Sequence, residues 1–176
     1  VFHIGVALNA SQFTEQDPKA TALVLREFDS ISPENALKWE SLEPENGKFD
    51  FKLADQYVDF GLKHKLFIIG HNLCWHSQLP DWVSQPEPGQ STLTKEVLLN
   101  RLRRHVLTVA GHFKGKINGW DVLNEAITDE GVRRVRRELD QSLRHALTDR
   151  IRDGRARYVV ERLLAAQEEV ERRAHP

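Results

Sequence analysis

Four stretches of the chain are apolar along almost their whole length, at residues 2–8, about 29–32, 66–73 and 117–123. An alternating pattern would mark strands with one wet face. A continuous one marks strands covered on both faces, the habit of a parallel sheet packed against helices. The intervals carry helical periodicity, at about 18–27, 51–64 and 94–112. Strand and helix thus alternate through four units, which restricts the fold to the α/β class with a parallel sheet. Parallel strands also fix where chemistry can sit, because the loops leaving their carboxyl ends build the site in such folds. Each of those loops is chemically loaded here: "NASQF" after the first strand, "PENALKWE" after the second, "HNLCWHSQLPDW" after the third and "NEA" after the fourth.

A closed (βα)8 barrel takes about 250 residues, and four units make half of one. The expected fold is therefore half of a TIM barrel whose first and fourth strands are open edges. Composition divides the chain further. Residues 1–132 contain nine Lys, four Arg and every Trp and Phe, whereas residues 133–176 contain twelve Arg and no Lys, Trp or Phe. The expected organisation is a half-barrel bearing the site over 1–132, followed by a recast, engineered-looking helical segment over 133–176. In that segment Val135, Leu139, Leu143, Leu147 and Ile151 line one amphipathic helix, and Tyr158, Val159, Leu163, Ala166 and Val170 a second. A short "RDGR" turn with Gly154 as C-cap would join them into a C-terminal helical hairpin. Either both helices simply cover the sheet, or one is the fourth barrel helix and the other an association surface.

Other classes are disfavoured. A net charge of −1 supplies no field for nucleic acid, and no apolar run approaches the roughly 18 residues of a membrane span. The single cysteine, Cys74, excludes an internal disulfide and reads as a small core residue. The chain opens directly on the strand-like "VFHIGVAL", as expected if a leader has been removed or the chain has been cut to the domain.

In order and spacing, "SPENALKWESLEPENGKFDF", "GHNLCWHSQLPDWV" and "GKINGWDVLNEAI" resemble the N-terminal half of the glycoside hydrolase family 10 endo-β-1,4-xylanases. The likeness runs from about residue 2 to 131 and thins thereafter, although "YVVERLLAAQ" resembles the family's fourth helix. It implies a barrel enzyme that cleaves xylan or xylo-oligosaccharides with retention of configuration and needs no cofactor, extracellular if it follows the family. It also implies roles for particular residues. Glu125 matches the acid/base and Asn124 the amide before it. Glu34, Asn35, Lys38, His71, Trp75 and Gln78 match residues that line the glycone-side subsites, and His76 would support them from behind.

Glycoside hydrolysis with retention needs two carboxyl groups about 5–5.5 Å apart, one to protonate the leaving oxygen and one to attack the anomeric carbon. Glu125 suits the acid, since partial burial at a strand tip among Trp and Asn would favour its protonated form. Asn124 could hold the sugar 2-hydroxyl. Read without the resemblance, Glu125 could equally be a carboxylate in a helix first turn, and Glu34, Asn35 and Lys38 a solvated turn. His71 and His76 form a His-x4-His pair with no third ligand at suitable spacing, so no metal is expected. Trp82 reads as core, and Asp121 as a structural partner, of a neighbouring histidine for instance. The second carboxylate is the difficulty. The resemblance places it in a Thr-Glu-apolar-Asp motif after the seventh strand, and this chain stops before a fifth. Glu138 in "RELD" is a poor substitute, because Leu139 belongs to a helix's apolar stripe. The expectation is a xylanase half completed by a second half-barrel chain or by a homodimer, and inactive or weak alone. The alternative is a non-catalytic, self-associating half-barrel scaffold with a vestigial sugar site.

Overall fold

The computed structural model describes residues 2–125. The helical segment expected over 133–176, with its hairpin and Glu138, lies outside the described residues. Four strands, β1 (Gly5–Leu8), β2 (Ser30–Pro33), β3 (Phe67–Cys74) and β4 (Gly119–Leu123), form one sheet in the order β1-β2-β3-β4. Every neighbouring pair is parallel. The long connections carry α2 (Pro18–Glu27), α4 (Lys52–Lys63) and α6 (Lys95–His112), within a residue of the periodic stretches read from the sequence. Three one-turn helices were not expected: α1 (Ala10–Phe13), α3 (Trp39–Leu42) and α5 (Asp81–Ser84). Four residues are too few to show a helical period, so nothing in the pattern could announce them.

Local chemistry explains the helix starts. Asp17 caps α2 through its side chain to the Ala20 amide, with Pro18 at the first helical position. Thr94 caps α6 in the same way through Val97. The core lies between sheet and helices and is built from Leu8, Ile31, Leu37, Tyr57, Ile68, Val106 and Phe113, each no more than 1% exposed. Tyr57 joins strands as well as filling space. Its hydroxyl lies 2.9 Å from the carbonyl oxygens of both Ile31 and Ile69, so one proton is shared between β2 and β3. Cys74 is buried in β3, and that burial pushes its thiol up to about 12, which makes it an inert core group.

Two glycines allow close approach. A Cβ on Gly61 would lie 2.6 Å from Ile68 Cγ1, so only glycine lets α4 rest this closely on β3. A Cβ on Gly70 would lie 2.2 Å from Trp120 Cε3, inside the indole itself. Gly70→Ala is therefore expected to lower stability by about 1–3 kcal/mol, as overpacking does where a rigid ring must move. Chemical denaturation of the two proteins checks it, and an unchanged midpoint would mean that Trp120 swings away freely.

The register of β3 against β4 slips beyond the Gly70–Trp120 pair. His71 is opposite Asp121 but Cys74 is opposite Leu123, so three steps on β3 match two on β4. This extra residue is a bulge, which re-aims the side chains around it. The polar residues that follow β2, β3 and β4 all lie at the carboxyl end of the sheet.

Candidate active site

The centre of that end is a chain of charge and hydrogen bonds running across three strands. Lys38 follows β2 and is 4% exposed. Its ammonium lies 2.7 Å from His71 Nε2 on β3, and His71 Nδ1 lies 2.8 Å from Asp121 Oδ2 on β4. An ammonium can only donate and a carboxylate can only accept. His71 must therefore be neutral, with its proton on Nδ1 and a lone pair on Nε2 turned to Lys38. Asp121, read from the sequence as a structural partner for a histidine, is in contact with one. The same Lys38 ammonium sits 4.2 Å above the Trp75 ring, a cation–π geometry. Burial pulls the Lys38 ammonium below its ordinary range, and the negative charges of Glu125 and Asp121 work against that shift. Both ring nitrogens of His71 are thus engaged, by Lys38 and by Asp121.

Glu125 closes this end of β4. Its Oε2 is 3.7 Å from His76 Nε2, which places the two within ion-pair range when the imidazole is charged. The Glu125 side chain is about half covered, at 48% exposure. Nearby, Trp120 packs over Gly70 and Trp75 under Lys38. Backbone conformation is unusual here too. Glu125 (φ 49°) and Gln78 (φ 47°) both adopt the left-handed region, which costs a non-glycine residue about 1 kcal/mol or more and tends to gather at functional sites.

The second group lies beside this chain. Gln78 Nε2 donates to Asn35 Oδ1 and to Glu40 Oε1, each at 3.0 Å. Asn35 and Glu34 follow β2, and both are exposed. The Glu34 side chain makes no hydrogen bond among the described residues. Asn124 is held through its backbone amide to the Cys74 carbonyl at 2.9 Å, which ties the end of β4 to β3. The structure thus joins Lys38, His71 and Trp75, and separately Asn35 and Gln78, with Glu125 charge-coupled to the first set. Trp82 is a packing residue as expected: it lies edge-on to Trp39 at 6.2 Å and donates to the Glu43 carbonyl.

Sequence reasoning missed a cluster behind the site. The Glu43 carboxylate is fully buried. Its Oε1 accepts from the Gly47 amide (2.9 Å) and Arg104 Nη2 (2.6 Å), and its Oε2 from Trp39 Nε1 and His105 Nδ1 (both 3.1 Å). His105, itself buried, stacks on Trp39 at 3.9 Å. Trp39 adjoins Lys38 in the chain, so this cluster ties the loop after β2 to helix α6.

A parallel sheet in the order 1-2-3-4, with carboxylates, amides and a lysine gathered at its carboxyl end, is the arrangement of a βα-barrel enzyme. The chain belongs to glycosyl hydrolase family 10, whose family model matches residues 1–162. That match continues beyond the change of composition at 132. The chain is 45% identical over 141 residues to endo-1,4-beta-xylanase A of Caldicellulosiruptor sp. strain Rt8B.4, covering 76% of this chain and 20% of that one. A family 10 endoxylanase retrieved from a sugarcane soil metagenome superposes with a TM-score of 0.77 at 39% identity, over 88% of this chain and 46% of that one. The intracellular xylanase of Thermoanaerobacterium saccharolyticum, solved as a mutant with xylotriose, gives 0.73 at 38% identity, over 84% and 48%. This chain spans less than half the length of such curated relatives, for instance 12% of one and 37% of another.

Proposed function

We propose that this chain supplies the glycone side of a retaining endo-β-1,4-xylanase, with Glu125 as its general acid/base. The observation that carries the reading is the Lys38–His71–Asp121 chain set beside Glu125 across three strands. Neutral sugars are held by fans of hydrogen bonds and an apolar ring face. Glu34, Asn35, Lys38, Gln78 and Asn124 supply donors and acceptors, His71 holds the Lys38 ammonium in place from behind, and Trp75 supplies the aromatic surface. Glu125 would protonate the glycosidic oxygen as it leaves and then deprotonate the water that resolves the glycosyl-enzyme.

The nucleophile is the second carboxyl group this chemistry needs. Asp121 is committed to His71, so we assign the nucleophile to the other half of the barrel, the part that strands five to eight would form. That half would also cover the exposed Glu125, and by itself the present chain is expected to be inactive or weak. The scaffold alternative differs in one respect: its sugar site would bind nothing.

Xylobiose binding to the full 176-residue chain, followed by calorimetry, separates the two. Wild type is expected to bind, and Asp121→Asn to bind about tenfold or more weakly, the scale of a lost hydrogen bond to a charged group. An asparagine keeps an oxygen that can accept from His71 Nδ1 but loses the negative charge that favours the Lys38 ammonium, so the hold on Lys38 weakens. Equal affinity for both proteins would remove the three-residue chain from the binding site.

A further inference from the structure

Glu40 has no assigned role, yet it holds Gln78 at two points. Its backbone amide donates to the Gln78 carbonyl at 3.2 Å, and its carboxylate accepts from Gln78 Nε2 at 3.0 Å. The residue stands on a firm base. It lies in the one-turn helix α3 between Trp39, 3% exposed and hydrogen-bonded to Glu43, and Leu42, fully buried. Gln78 itself sits in the left-handed backbone region, a conformation that needs such an external hold.

We propose that Glu40 is a positioning residue that fixes the donor and acceptor polarity of the two amides in the sugar site, an inference that rests on the sugar-binding reading above. A carboxylate can only accept, so Gln78 must turn its NH2 toward Glu40. The same NH2 reaches Asn35 Oδ1 at 3.0 Å, which commits the oxygen of Asn35. Polarity therefore propagates outward from one charge. Gln78 is left with its carbonyl oxygen to accept, and Asn35 with its NH2 to donate. Side by side, an acceptor and a donor pair match a hydroxyl, which both donates and accepts, and match the vicinal hydroxyls of a neutral sugar better still. A sugar carboxylate placed against this pair offers only acceptors and would find the Gln78 carbonyl opposed to it. Glu40 would thus select neutral, hydroxyl-bearing units without touching them.

The test uses the full chain labelled with 15N, with the side-chain amide signals of Gln78 and Asn35 assigned through Gln78→Ala and Asn35→Ala. Glu40→Gln retains an oxygen that can accept from Gln78 and should keep xylobiose affinity within about threefold of wild type. Glu40→Lys offers donors alone, so the Gln78 amide must reverse and Asn35 with it. Its xylobiose affinity should fall about tenfold or more, the scale of one or two mismatched hydrogen bonds. Its melting temperature should be unchanged, because Glu40 is exposed. The amide signals of both Gln78 and Asn35 should move in Glu40→Lys and stay close to wild type in Glu40→Gln. Unmoved signals in Glu40→Lys, or xylobiose affinity equal to wild type, would overturn the assignment. A wild-type chain that leaves xylobiose unbound would instead sink the sugar-site reading, while the Gln78 and Asn35 signals would still decide the role of Glu40.

Discussion

Glu43→Ala is expected to cost about 3–5 kcal/mol of stability, a large share of the roughly 5–15 kcal/mol that holds a domain of this kind together. Four donors converge on the Glu43 carboxylate, from Trp39, Gly47, Arg104 and His105. Arg104 is 42% exposed and can return to water. The other three are held by the fold, and a buried donor left without a partner costs about 1–3 kcal/mol. Denaturant titration of the two proteins measures the loss. A change under about 1 kcal/mol would mean that water replaces the carboxylate easily and that the cluster is not a structural anchor.

The same cluster makes stability depend on pH, with a definite sign. Burial opposes the Glu43 charge, but hydrogen bonds from His105, Gly47 and Arg104 outweigh it and hold the carboxyl below its ordinary value of 4.5. Its contribution is complete above that value and is lost as pH falls through the lower folded value. For His105, burial drives the imidazole below its ordinary value of 6.5, against the hydrogen bond and charge of Glu43 and aided by Arg104. The unfolded state then takes up protons below pH 6.5 that the folded state refuses, so stability again falls toward acid. Both groups act in one direction, His105 first and Glu43 at lower pH. Glu43→Gln should remove the lower part of that decline and deepen the upper part, because the charge that favours the His105 imidazolium is lost. Denaturant titrations across about pH 4–8 measure both.

Why this cluster escaped the sequence, while the site beside it did not, has a physical answer. The strands and the three long helices were legible because apolar periodicity is a local property, and it placed α2, α4 and α6 nearly to the residue. The place of the candidate site was legible because parallel strands send their chemistry to one end, and because the motifs around Lys38, His71 and Glu125 are long. Glu43 carries no such mark. In "SLEPEN" it looks like any surface acid, and its decisive partners, Arg104 and His105, come from a helix more than fifty residues onward. Glu40 is hidden for a similar reason, since only the folded loop after β3 brings Gln78 to it.

Glu125→Gln should lower hydrolysis of xylan by about 10²–10⁴-fold in the assembled enzyme, the range that a positioned proton donor contributes. The size should depend on what is leaving. A xylose unit departs as an alkoxide of a weak acid and needs the proton that Glu125 would give. A dinitrophenyl group departs as a stable anion and needs almost none, so the first step on dinitrophenyl β-xylobioside should survive the substitution. The second step should not, because the substituted carboxamide cannot accept a proton from the attacking water. The glycosyl-enzyme then accumulates, and the reaction becomes a rapid burst of phenolate followed by slow turnover. Azide, a nucleophile with no proton to remove, should restore turnover and give a β-xylobiosyl azide. Loss of the burst itself would instead identify Glu125 as the group that attacks the anomeric carbon. An unchanged rate on xylan would exclude it from the chemistry and leave its left-handed backbone at the mouth of the sheet without a catalytic explanation.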